Sequence, residues 1–277
     1  MDDYIQSVWK STDKKRFPGP QPVSIERRHF PLLSQQPYVV CEKTDGTRYM
    51  LACPPGSKDS YLVNRNFETK TVSFAGFPKD TILDGELVTT KDKRELFMVH
   101  DAMRVKGVDL MSEPLSTRLG FAIAAVKNII KSRKDPFEIR VKTMIPLSDI
   151  SSLPALDSFE YETDGIVMTP VNEPVRTGTH ETMFKWKPHH RITVDFQIKN
   201  GNELWVQDRG QPFFEANLHN QNARLDIKNG AIVECGYGEL GWVVEKVRTD
   251  KNYPNNRRTY YNTCTNLREN IKLSEFM

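Results

Sequence analysis

Apolar and polar residues alternate in short runs along residues 1–190, and such runs predict β-strands. The runs occupy residues 38–42, 49–53, 60–63, 81–90 and 96–100. Between residues 115 and 133 the period becomes helical, with Leu119, Ile123, Val126 and Ile130 recurring three or four residues apart. Either Ser116 or Thr117 is available as the N-cap. This part of the chain is therefore predicted to contain a helix that packs on a sheet through that apolar stripe.

Beyond residue 191 the predicted strands become denser and the turns tighter. Residues 193–198 and 203–206 flank Asn200-Gly201, which is a strong hairpin signal. A second Asn-Gly pair, Asn229-Gly230, precedes the apolar residues 231–233. Short strands joined by tight turns predict a small β-barrel, and the residues from Thr263 onward are predicted to be helical.

Length, charge and cysteine content indicate the number of domains, the place of any nucleic-acid binding surface and the state of the thiols. A chain of 277 residues has room for one large domain and a small one, and its net charge of +3 leaves any nucleic-acid footprint to local basic clusters. Such clusters lie within residues 127–140 and at Arg257-Arg258, although solvated faces have the same composition. The four cysteines lack metal-ligand spacing, which favours buried free thiols in a reducing compartment. No signal peptide or membrane span is predicted.

The segment Lys43-Thr44-Asp45-Gly46-Thr47-Arg48 carries the most informative chemistry of the chain. It places an amine, a carboxylate, a flexible turn and a guanidinium between two predicted strands. A lysine at such a turn can attack phosphorus and hold a nucleotide as a covalent phosphoramidate. Taken alone, the segment also fits a surface hairpin, because Asp-Gly is an ordinary turn dipeptide.

Four further segments strengthen the catalytic interpretation of Lys43. They are Asp84-Gly85-Glu86, Phe97-Met98-Val99-His100-Asp101, Thr163-Asp164-Gly165-Ile166-Val167-Met168 and Met183-Phe184-Lys185-Trp186-Lys187-Pro188. In this order and at these separations they resemble motifs III, IIIa, IV and V of the covalent nucleotidyltransferases. That superfamily comprises the mRNA capping guanylyltransferases and the ATP-dependent polynucleotide ligases. One match would be a weak signal, whereas five in order are a strong one.

Two other segments favour the capping branch of that superfamily over the ligases. Residues 17–24 resemble the lead-in of capping enzymes, and residues 248–255 resemble their motif VI, R-x-D-K-x-x-P-N. The resemblance covers most of the chain and is closest to the compact, single-activity guanylyltransferases of large DNA viruses of algae and of fungi. It implies an α+β fold with a nucleotidyltransferase domain of the ATP-grasp-like, DNA ligase type over residues 1–190, built of antiparallel sheets and helices. A C-terminal OB-fold β-barrel over residues 191–262 and a helix over 263–277 that returns to the first domain complete the implied organisation.

The resemblance makes Lys43 the nucleophile, which imposes a requirement on its surroundings. Free lysine has a pKa of about 10.4, so on the order of one amine in a thousand is neutral at pH 7.4, and nearby positive charge must depress that pKa. Lys185 and Lys187 alternate with Trp186, so both are predicted to point to one face of one strand and to neutralise the α-phosphate during reaction. The alternative for these two lysines is a polar strand face.

The resemblance also implies contacts to the ribose and phosphates of GTP. Arg48 and Glu86 are implied to hold ribose hydroxyls, with a strand-edge carboxylate as the alternative for Glu86. Arg65 is implied to contact phosphate.

Contacts to the base are implied by two positions. The residue just before Asp101 is normally Phe or Tyr and stacks on the purine, but here it is His100. Either this imidazole stacks or Phe97 provides the platform, and a satisfied core histidine is the structural alternative. Lys142 is implied to donate to guanine O6, an acceptor that adenine replaces with an amine.

The remaining implied site residues act on metal and phosphates. Asp164 is expected to help hold Mg²⁺ or Mn²⁺, because hard ions prefer oxygen ligands and take few of them from protein, and a structural turn aspartate is the alternative. Asp195 is implied to act in the triphosphate-bound state. Arg248, Asp250 and Lys251 are implied to reach the β and γ phosphates in a closed form and to orient pyrophosphate opposite Lys43.

The predicted function is an mRNA guanylyltransferase that forms lysyl-GMP from GTP and transfers GMP to the 5′-diphosphate end of RNA, making a GpppN cap. Because only Met1 to Glu42 precede the nucleophile, the RNA 5′-triphosphatase is expected on a separate chain. The phosphorylated tail of RNA polymerase II is a further implied partner. The expected location is the nucleus in a eukaryote, or the host cell or virus factory for a virus.

Two alternatives to this function belong to different classes. An ATP-dependent DNA or RNA ligase would share the Lys43 chemistry, but the motif VI segment argues against it. A catalytically silent RNA-binding module would keep the fold, but the presence of Lys43, Glu86 and Lys185 argues against that.

Overall fold

The computed structural model describes residues 1–10, 16–220 and 227–277. These residues form two compact units. The first comprises Met1–Val23, Phe30–Trp186 and Phe276–Met277, and the second comprises Ser24–His29 and Lys187–Glu275. Each unit has its own buried apolar core. The predicted α+β class is confirmed.

Two sheets make up most of the first unit. Its strands are β1 (Gln21–Ser24), β2 (Tyr38–Thr44), β3 (Thr47–Cys53), β4 (Ser60–Val63), β5 (Thr69–Val72), β6 (Thr81–Thr89), β7 (Glu95–Val105), β8 (Val108–Asp109), β9 (Glu138–Val141), β10 (Ile145–Pro146), β11 (Thr163–Pro170) and β12 (Thr179–Trp186). One sheet has the order β1-β12-β11-β2-β10, and the other has the order β5-β4-β3-β6-β7-β8 with β9 parallel to β7. The five strands predicted from alternation correspond to β2, β3, β4, β6 and β7, so that prediction is confirmed.

The turn after Lys43 connects the two sheets, because β2 belongs to one sheet and β3 to the other. Gly46 is required at this turn by close approach. A Cβ on Gly46 would lie 2.4 Å from the Leu87 carbonyl oxygen and 2.7 Å from Val88 Cγ1. The predicted nucleophile therefore stands where the chain crosses from one sheet to the other, with the turn packed tightly on β6.

Helices are few in the described residues. They are α1 (Asp2–Trp9), α2 (Phe30–Gln35), α3 (Leu115–Lys127) and α4 (Arg257–Glu269), with short 3-10 helices at Arg27–His29, Leu147–Ser152, Leu156–Ser158, His189–Arg191 and Leu273–Phe276. The predicted N-cap of α3 at Ser116 or Thr117 is wrong. Pro114 occupies the N-cap position without a side-chain hydrogen bond, because the helix begins at the buried Leu115, two or three residues earlier than the predicted caps would place its start.

The face that α3 buries also differs from the predicted stripe. The buried residues are Leu115, Arg118, Ala122 and Ala125, whereas Ile123 and Ile130 are 42% and 67% exposed. Alanine carries a weak apolar signal but allows close packing on a sheet, and Arg118 is buried because it pairs with a carboxylate of β7. The packed face of α3 therefore combines Leu115, two alanines and an ion pair with Phe121 and Val126, which pack on the core of the first unit.

The second unit is a closed β-barrel. Its strands are β13 (Thr193–Lys199), β14 (Glu203–Asp208), β15 (Gln211–Asn220), β16 (Ile232–Gly238) and β17 (Gly241–Val247). They close in the order β13-β14-β15-β17-β16, with β15 and β17 parallel. This is the five-stranded Greek-key arrangement of an OB fold, so the barrel prediction is confirmed. The predicted hairpin is also confirmed, since Asn200 and Gly201 have φ values of 48° and 83° between β13 and β14.

Helix α4 packs on the barrel core. The Tyr260 ring centroid lies 5.6 Å from that of Phe196, and Cys264 and Leu267 pack against the same cluster. The helix begins at Arg257 and not at the predicted Thr263, because the Asn256 side chain accepts a hydrogen bond from the Arg258 amide and caps it.

The cysteines are free thiols, as predicted. Cys41, Cys53 and Cys235 are buried and Cys264 is half-buried. Among the described residues, the helices fall short of the length and apolar character that crossing a membrane requires.

Candidate active site

Lys43 and Asp164 meet at the end of β2. Lys43 Nζ lies 2.7 Å from Asp164 Oδ1, and the lysine side chain is 23% exposed. In the pairing of β11 with β2, Thr163 faces Thr44 and Gly165 faces Lys43, so Asp164 is the extra residue of a β-bulge. A bulge re-aims a side chain out of the regular alternation, and here the carboxylate reaches the amine. The structure thus brings together the predicted nucleophile and the predicted metal-binding aspartate.

Lys185 and Lys187, the two lysines predicted to neutralise the α-phosphate, do not lie on the same strand. Lys185 lies on β12 opposite Val167 of β11, but β12 ends at Trp186. The prediction that Lys187 belongs to the same strand is therefore wrong. Pro188 follows directly and lacks the N–H needed to continue the ladder. Lys185 belongs to the first unit, next to the strand that carries Asp164, whereas Lys187 groups with the second unit.

Arg48 forms hydrogen bonds both to β6 and to the segment of residues 17–24. Its Nε and Nη2 donate to the two oxygens of Asp84 at 2.9 and 2.5 Å, and its Nη1 donates to the Pro20 carbonyl at 2.6 Å. The guanidinium carbon also lies 5.3 Å from the centre of the Phe17 ring. Burial by itself raises the pKa of the Asp84 carboxyl, but the charge of Arg48 and then that of His100 outweigh it and hold this pKa well below its usual range. Arg48 is thus engaged within the protein, and its contact with ribose stays a prediction.

Arg65 lies at the turn between β4 and β5 and forms no hydrogen bond or ion pair with another described residue. Loss of solvation, followed by the charge of Arg48, lowers the pKa of its guanidinium. A cation with these surroundings is suited to an anionic ligand, which agrees with its predicted contact to phosphate.

His100 and Glu86 lie on neighbouring strands beside Asp84. His100 is the extra residue of a second bulge, since Val99 faces Gly85 and Asp101 faces Asp84. Its Nε2 lies 3.4 Å from Asp84 Oδ1, and its side chain is 28% exposed. Glu86 is on β6, which has β3 and β7 on its two sides, so the strand-edge alternative is wrong.

Phe97 is excluded as the platform for the base. Its side chain is fully buried in the core of the first unit, with its ring centroid 6.0 Å from that of Phe137. His100 is therefore the residue of this segment that has an exposed ring surface to offer.

A buried polar network lies beneath the Lys43 turn. Lys142 Nζ donates to the Glu42 carbonyl at 2.9 Å and to Thr44 Oγ1 at 3.0 Å, and it lies 3.7 Å from Glu42 Oε1. Tyr161 OH donates to the same Glu42 oxygen at 3.0 Å. Thr44 Oγ1 in turn donates to Glu86 Oε2. Sequence reasoning did not identify Glu42, Thr44 or Tyr161, although a glutamate inside an otherwise apolar strand was a usable signal.

Arg118 and Asp101 form a second buried feature that sequence reasoning missed. Arg118 Nε and Nη2 donate to the two Asp101 oxygens at 2.7 and 2.9 Å, and the side chains are 3% and 6% exposed. This pair fixes α3 on β7 directly beside His100.

In the second unit, the residues of the predicted motif VI converge on Asp195. Arg248 Nη1 lies 3.0 Å from Asp195 Oδ1, and Lys251 Nζ pairs with Asp195 Oδ2. The Asn255 side chain accepts from the Asp195 amide at 2.9 Å. Asp250 receives two hydrogen bonds from Arg248 at 2.9 and 2.7 Å, and these bonds hold the pKa of the Asp250 carboxyl well below its usual range. All four predicted phosphate-site residues of this unit therefore lie together.

The described residues contain no cluster of three His, Cys, Asp or Glu side chains suited to a metal ion. Asp164 nevertheless presents carboxylate oxygens beside Lys43. This donor fits Mg²⁺ or Mn²⁺ carried mainly by nucleotide phosphates, because Mg²⁺ commonly takes one or two protein carboxylates and completes its shell with phosphate and water.

Comparison with known proteins matches both units to one family. The family model of the mRNA capping enzyme catalytic domain matches residues 3–189, and that of the mRNA capping enzyme C-terminal domain matches residues 166–277. The mRNA-capping enzyme subunit alpha of Yarrowia lipolytica is 34% identical over 254 residues, which are 82% of this chain and 65% of that protein. The mRNA-capping enzyme of Danio rerio is 28% identical over 301 residues, covering 94% of this chain and 48% of that protein. The chain thus spans about half to two thirds of the length of these relatives.

A solved structure shows the same fold in another enzyme. Mycobacterial DNA ligase D complexed with ATP and MES matches with a TM-score of 0.50 at 13% identity, over 84% of this chain and 95% of that one. At this identity the likeness concerns the fold alone, and it agrees with the predicted ligase-type nucleotidyltransferase domain. Since the catalytic-domain model covers most of the sequence and relatives in fungi and animals share its name, the chain belongs to the mRNA capping enzyme family.

Proposed function

We propose that this protein is an RNA guanylyltransferase that carries GMP on Lys43. The observation that supports this best is the placement of the Lys43 amine, which is partly exposed at a tight turn and 2.7 Å from the Asp164 carboxylate. Membership of the capping enzyme family supports the same proposal.

In the first step, Lys43 Nζ forms a bond to the α-phosphorus of GTP. The bond between that phosphorus and the bridging oxygen breaks, and pyrophosphate leaves with the electron pair. The Lys43 ammonium first loses one proton to solvent, which leaves a neutral amine with the lone pair that attacks phosphorus. Asp164 Oδ1 accepts a hydrogen bond from this amine and orients it, and a second proton passes to solvent as the N–P bond forms. Lys185 and Lys187 supply positive charge for the α-phosphate, and Arg248, Asp250 and Lys251, with Asp195, serve the β and γ phosphates.

Nucleotide choice rests on the first unit. Glu86 and Arg48 serve the ribose, Arg65 contacts phosphate, His100 stacks on the base, and Lys142 donates to guanine O6. A divalent ion held by Asp164 and substrate phosphates would add positive charge at the α-phosphate when bound.

In the second step, a terminal oxygen of 5′-diphosphate RNA attacks the same phosphorus. The N–P bond breaks, the Lys43 amine regains its proton, and the product is a GpppN cap. An RNA 5′-triphosphatase on a separate chain would supply the diphosphate end. The phosphorylated tail of RNA polymerase II is a proposed partner, and the nucleus is the proposed location in a eukaryote.

The test is covalent labelling with GTP or ATP that carries ³²P at the α-phosphate, in the presence of a divalent ion. The expected result is protein-bound label that is acid-labile and alkali-stable with GTP, and none with ATP. Label from ATP would identify a ligase, and no label from either would identify a silent binding module. The variant Lys43→Arg is expected to take no label from GTP. Lys70→Arg, at an exposed position of β5, is its matched control and is expected to take label like the unmodified protein.

A further inference from the structure

Thr44 links two residues that the proposed function assigns to different parts of GTP. Its side chain is fully buried directly after the nucleophile. Thr44 Oγ1 accepts from Lys142 Nζ at 3.0 Å and donates to Glu86 Oε2. These directions are fixed, because an ammonium can only donate and an ionised carboxylate can only accept.

Both ends of this link are held by further contacts. Lys142 Nζ also donates to the Glu42 carbonyl at 2.9 Å, so its two bonds bracket Lys43 from the residue before and the residue after. Glu86 Oε1 accepts from the Gly46 amide at 3.2 Å, within the same turn. The link therefore runs around the nucleophile, through main-chain and side-chain atoms of the Lys43 segment.

Lys142 and Glu86 each have hydrogen-bonding sites beyond those used in the link, and a ligand could use them. An ammonium has three N–H donors, and two of those on Lys142 are directed to the Glu42 carbonyl and Thr44 Oγ1. The Glu42 carboxylate, 3.7 Å from Lys142 Nζ, lies beyond hydrogen-bond distance of the third donor. A carboxylate has about four lone-pair sites, and Glu86 uses two of them on Thr44 and Gly46. Long side chains such as lysine and glutamate lose rotamer freedom when they bind a ligand, and this cost falls when contacts within the protein have already fixed them.

We infer that Thr44 is a positioning residue that couples guanine recognition by Lys142 to ribose recognition by Glu86. This inference rests on the proposed function, which assigns O6 to Lys142 and the ribose hydroxyls to Glu86. One hydroxyl orients both side chains, so the two contacts are made together or weakened together. Selection for GTP then depends on a residue to which the proposed function assigns no contact with the nucleotide.

The test compares Thr44→Val, which keeps the shape and removes the hydroxyl, with Thr44→Ser, which keeps the hydroxyl. Lysyl-GMP formation is measured as kcat and KM for GTP. Thr44→Val is expected to raise KM about tenfold, in the middle of the range for coupled neighbours, with kcat changed less than about threefold. Thr44→Ser is expected to restore KM to within about threefold of the original protein.

Two nucleotide analogues separate coupling from a general structural defect. 2-Aminopurine riboside triphosphate lacks O6, and 2′,3′-dideoxy-GTP lacks the ribose hydroxyls. If Thr44 acts through Lys142 and Glu86, the KM increase caused by Thr44→Val shrinks to about threefold or less with each analogue. Thr81→Val is the matched control, because Thr81 is also a fully buried threonine whose hydroxyl is hydrogen-bonded, to Lys79 and Lys106.

Three outcomes would overturn the inference. These are an unchanged KM in Thr44→Val, an equal KM increase with GTP and both analogues, and an increase of similar size in Thr81→Val. Should Thr44→Val not fold, GTP binding by Glu86→Gln, Lys142→Met and the double variant decides instead, since strictly additive losses would exclude coupling. Failure of the proposed function would give a different result from failure of this inference, because the unmodified protein itself would then take no label from GTP.

Discussion

The buried pair of Arg118 and Asp101 gives a quantitative test of how the first unit is held together. Besides its two bonds to Asp101, Arg118 Nη1 donates to the carbonyls of Glu113 and Glu173 at 2.6 and 3.2 Å. Arg118→Met keeps an unbranched apolar side chain but removes all four hydrogen bonds. Asp101 would then remain buried with the Ala102 amide, 2.8 Å away, still donating to it.

The cost of Arg118→Met can be worked out from these contacts. Removing one partner of a buried ion pair costs about 3–5 kcal/mol, because the other charge stays desolvated. The two carbonyls that lose a donor add about 1–3 kcal/mol together, which gives about 4–8 kcal/mol in total. Single domains are stable by only about 5–15 kcal/mol, so this variant should lie near the limit of folding. Adding Asp101→Asn removes the buried charge and should recover about 2–3 kcal/mol.

The assay is urea denaturation followed by circular dichroism, with hydrogen exchange of α3 and β7 amides to assign the loss to the first unit. Arg94→Met is the control, because Arg94 also pairs with carboxylates but is 54% exposed, and its loss should be hardly measurable. A destabilisation below about 1 kcal/mol for Arg118→Met would contradict the assigned role of the ion pair in holding α3 on β7. So would a double variant that is less stable than Arg118→Met alone.

Four further outcomes are expected. Lys43→Arg should abolish covalent GMP labelling while circular dichroism stays unchanged, because guanidinium is not deprotonated at usable pH; label on another residue would contradict this. His100→Phe should keep GTP labelling and His100→Ala should weaken it, and equal damage by both would exclude stacking. Arg248→Ala should slow the first step far more than GMP transfer from preloaded enzyme, and equal losses in single-turnover kinetics would show that Arg248 supports the fold or binds RNA. The pKa of the Asp84 carboxyl is lower in the native state than the ordinary value of about 3.9, so ionised Asp84 stabilises the native state above that pH. The Tm should therefore fall as the pH drops below about 3.9, and Asp84→Asn should flatten this part of the plot of Tm against pH.

Regular structure followed from the sequence, but its irregularities did not. Strands such as β14 show the two-residue period that a half-buried strand imposes. The bulges at Asp164 and His100 add one residue to one strand, and a single extra residue leaves no mark in a local pattern. These two positions nevertheless orient the side chains beside the nucleophile and beside Asp84.

Several candidate site residues were named from sequence motifs, but the contacts that join them were not. Motif resemblance identified Lys43, Glu86 and Lys142, but the link between the last two depends on contacts such as Lys142 to Thr44, which are 98 residues apart in sequence. Arg118 was assigned to no role because a charged residue at a helical core position has no apolar signal.

Closure of the barrel limits the ways in which another molecule can recognise the second unit. In the described part of this unit, every strand from β13 to β17 has a neighbour on both sides, so these strands offer a partner peptide no open row of backbone groups to extend by strand addition. Recognition must instead use outward side chains, among which Phe214 and Tyr237 are 47% and 48% exposed. The two sheets of the first unit have edge strands, β1 and β10 in one and β5 and β8 in the other, so an extended peptide that binds by backbone pairing should select that unit.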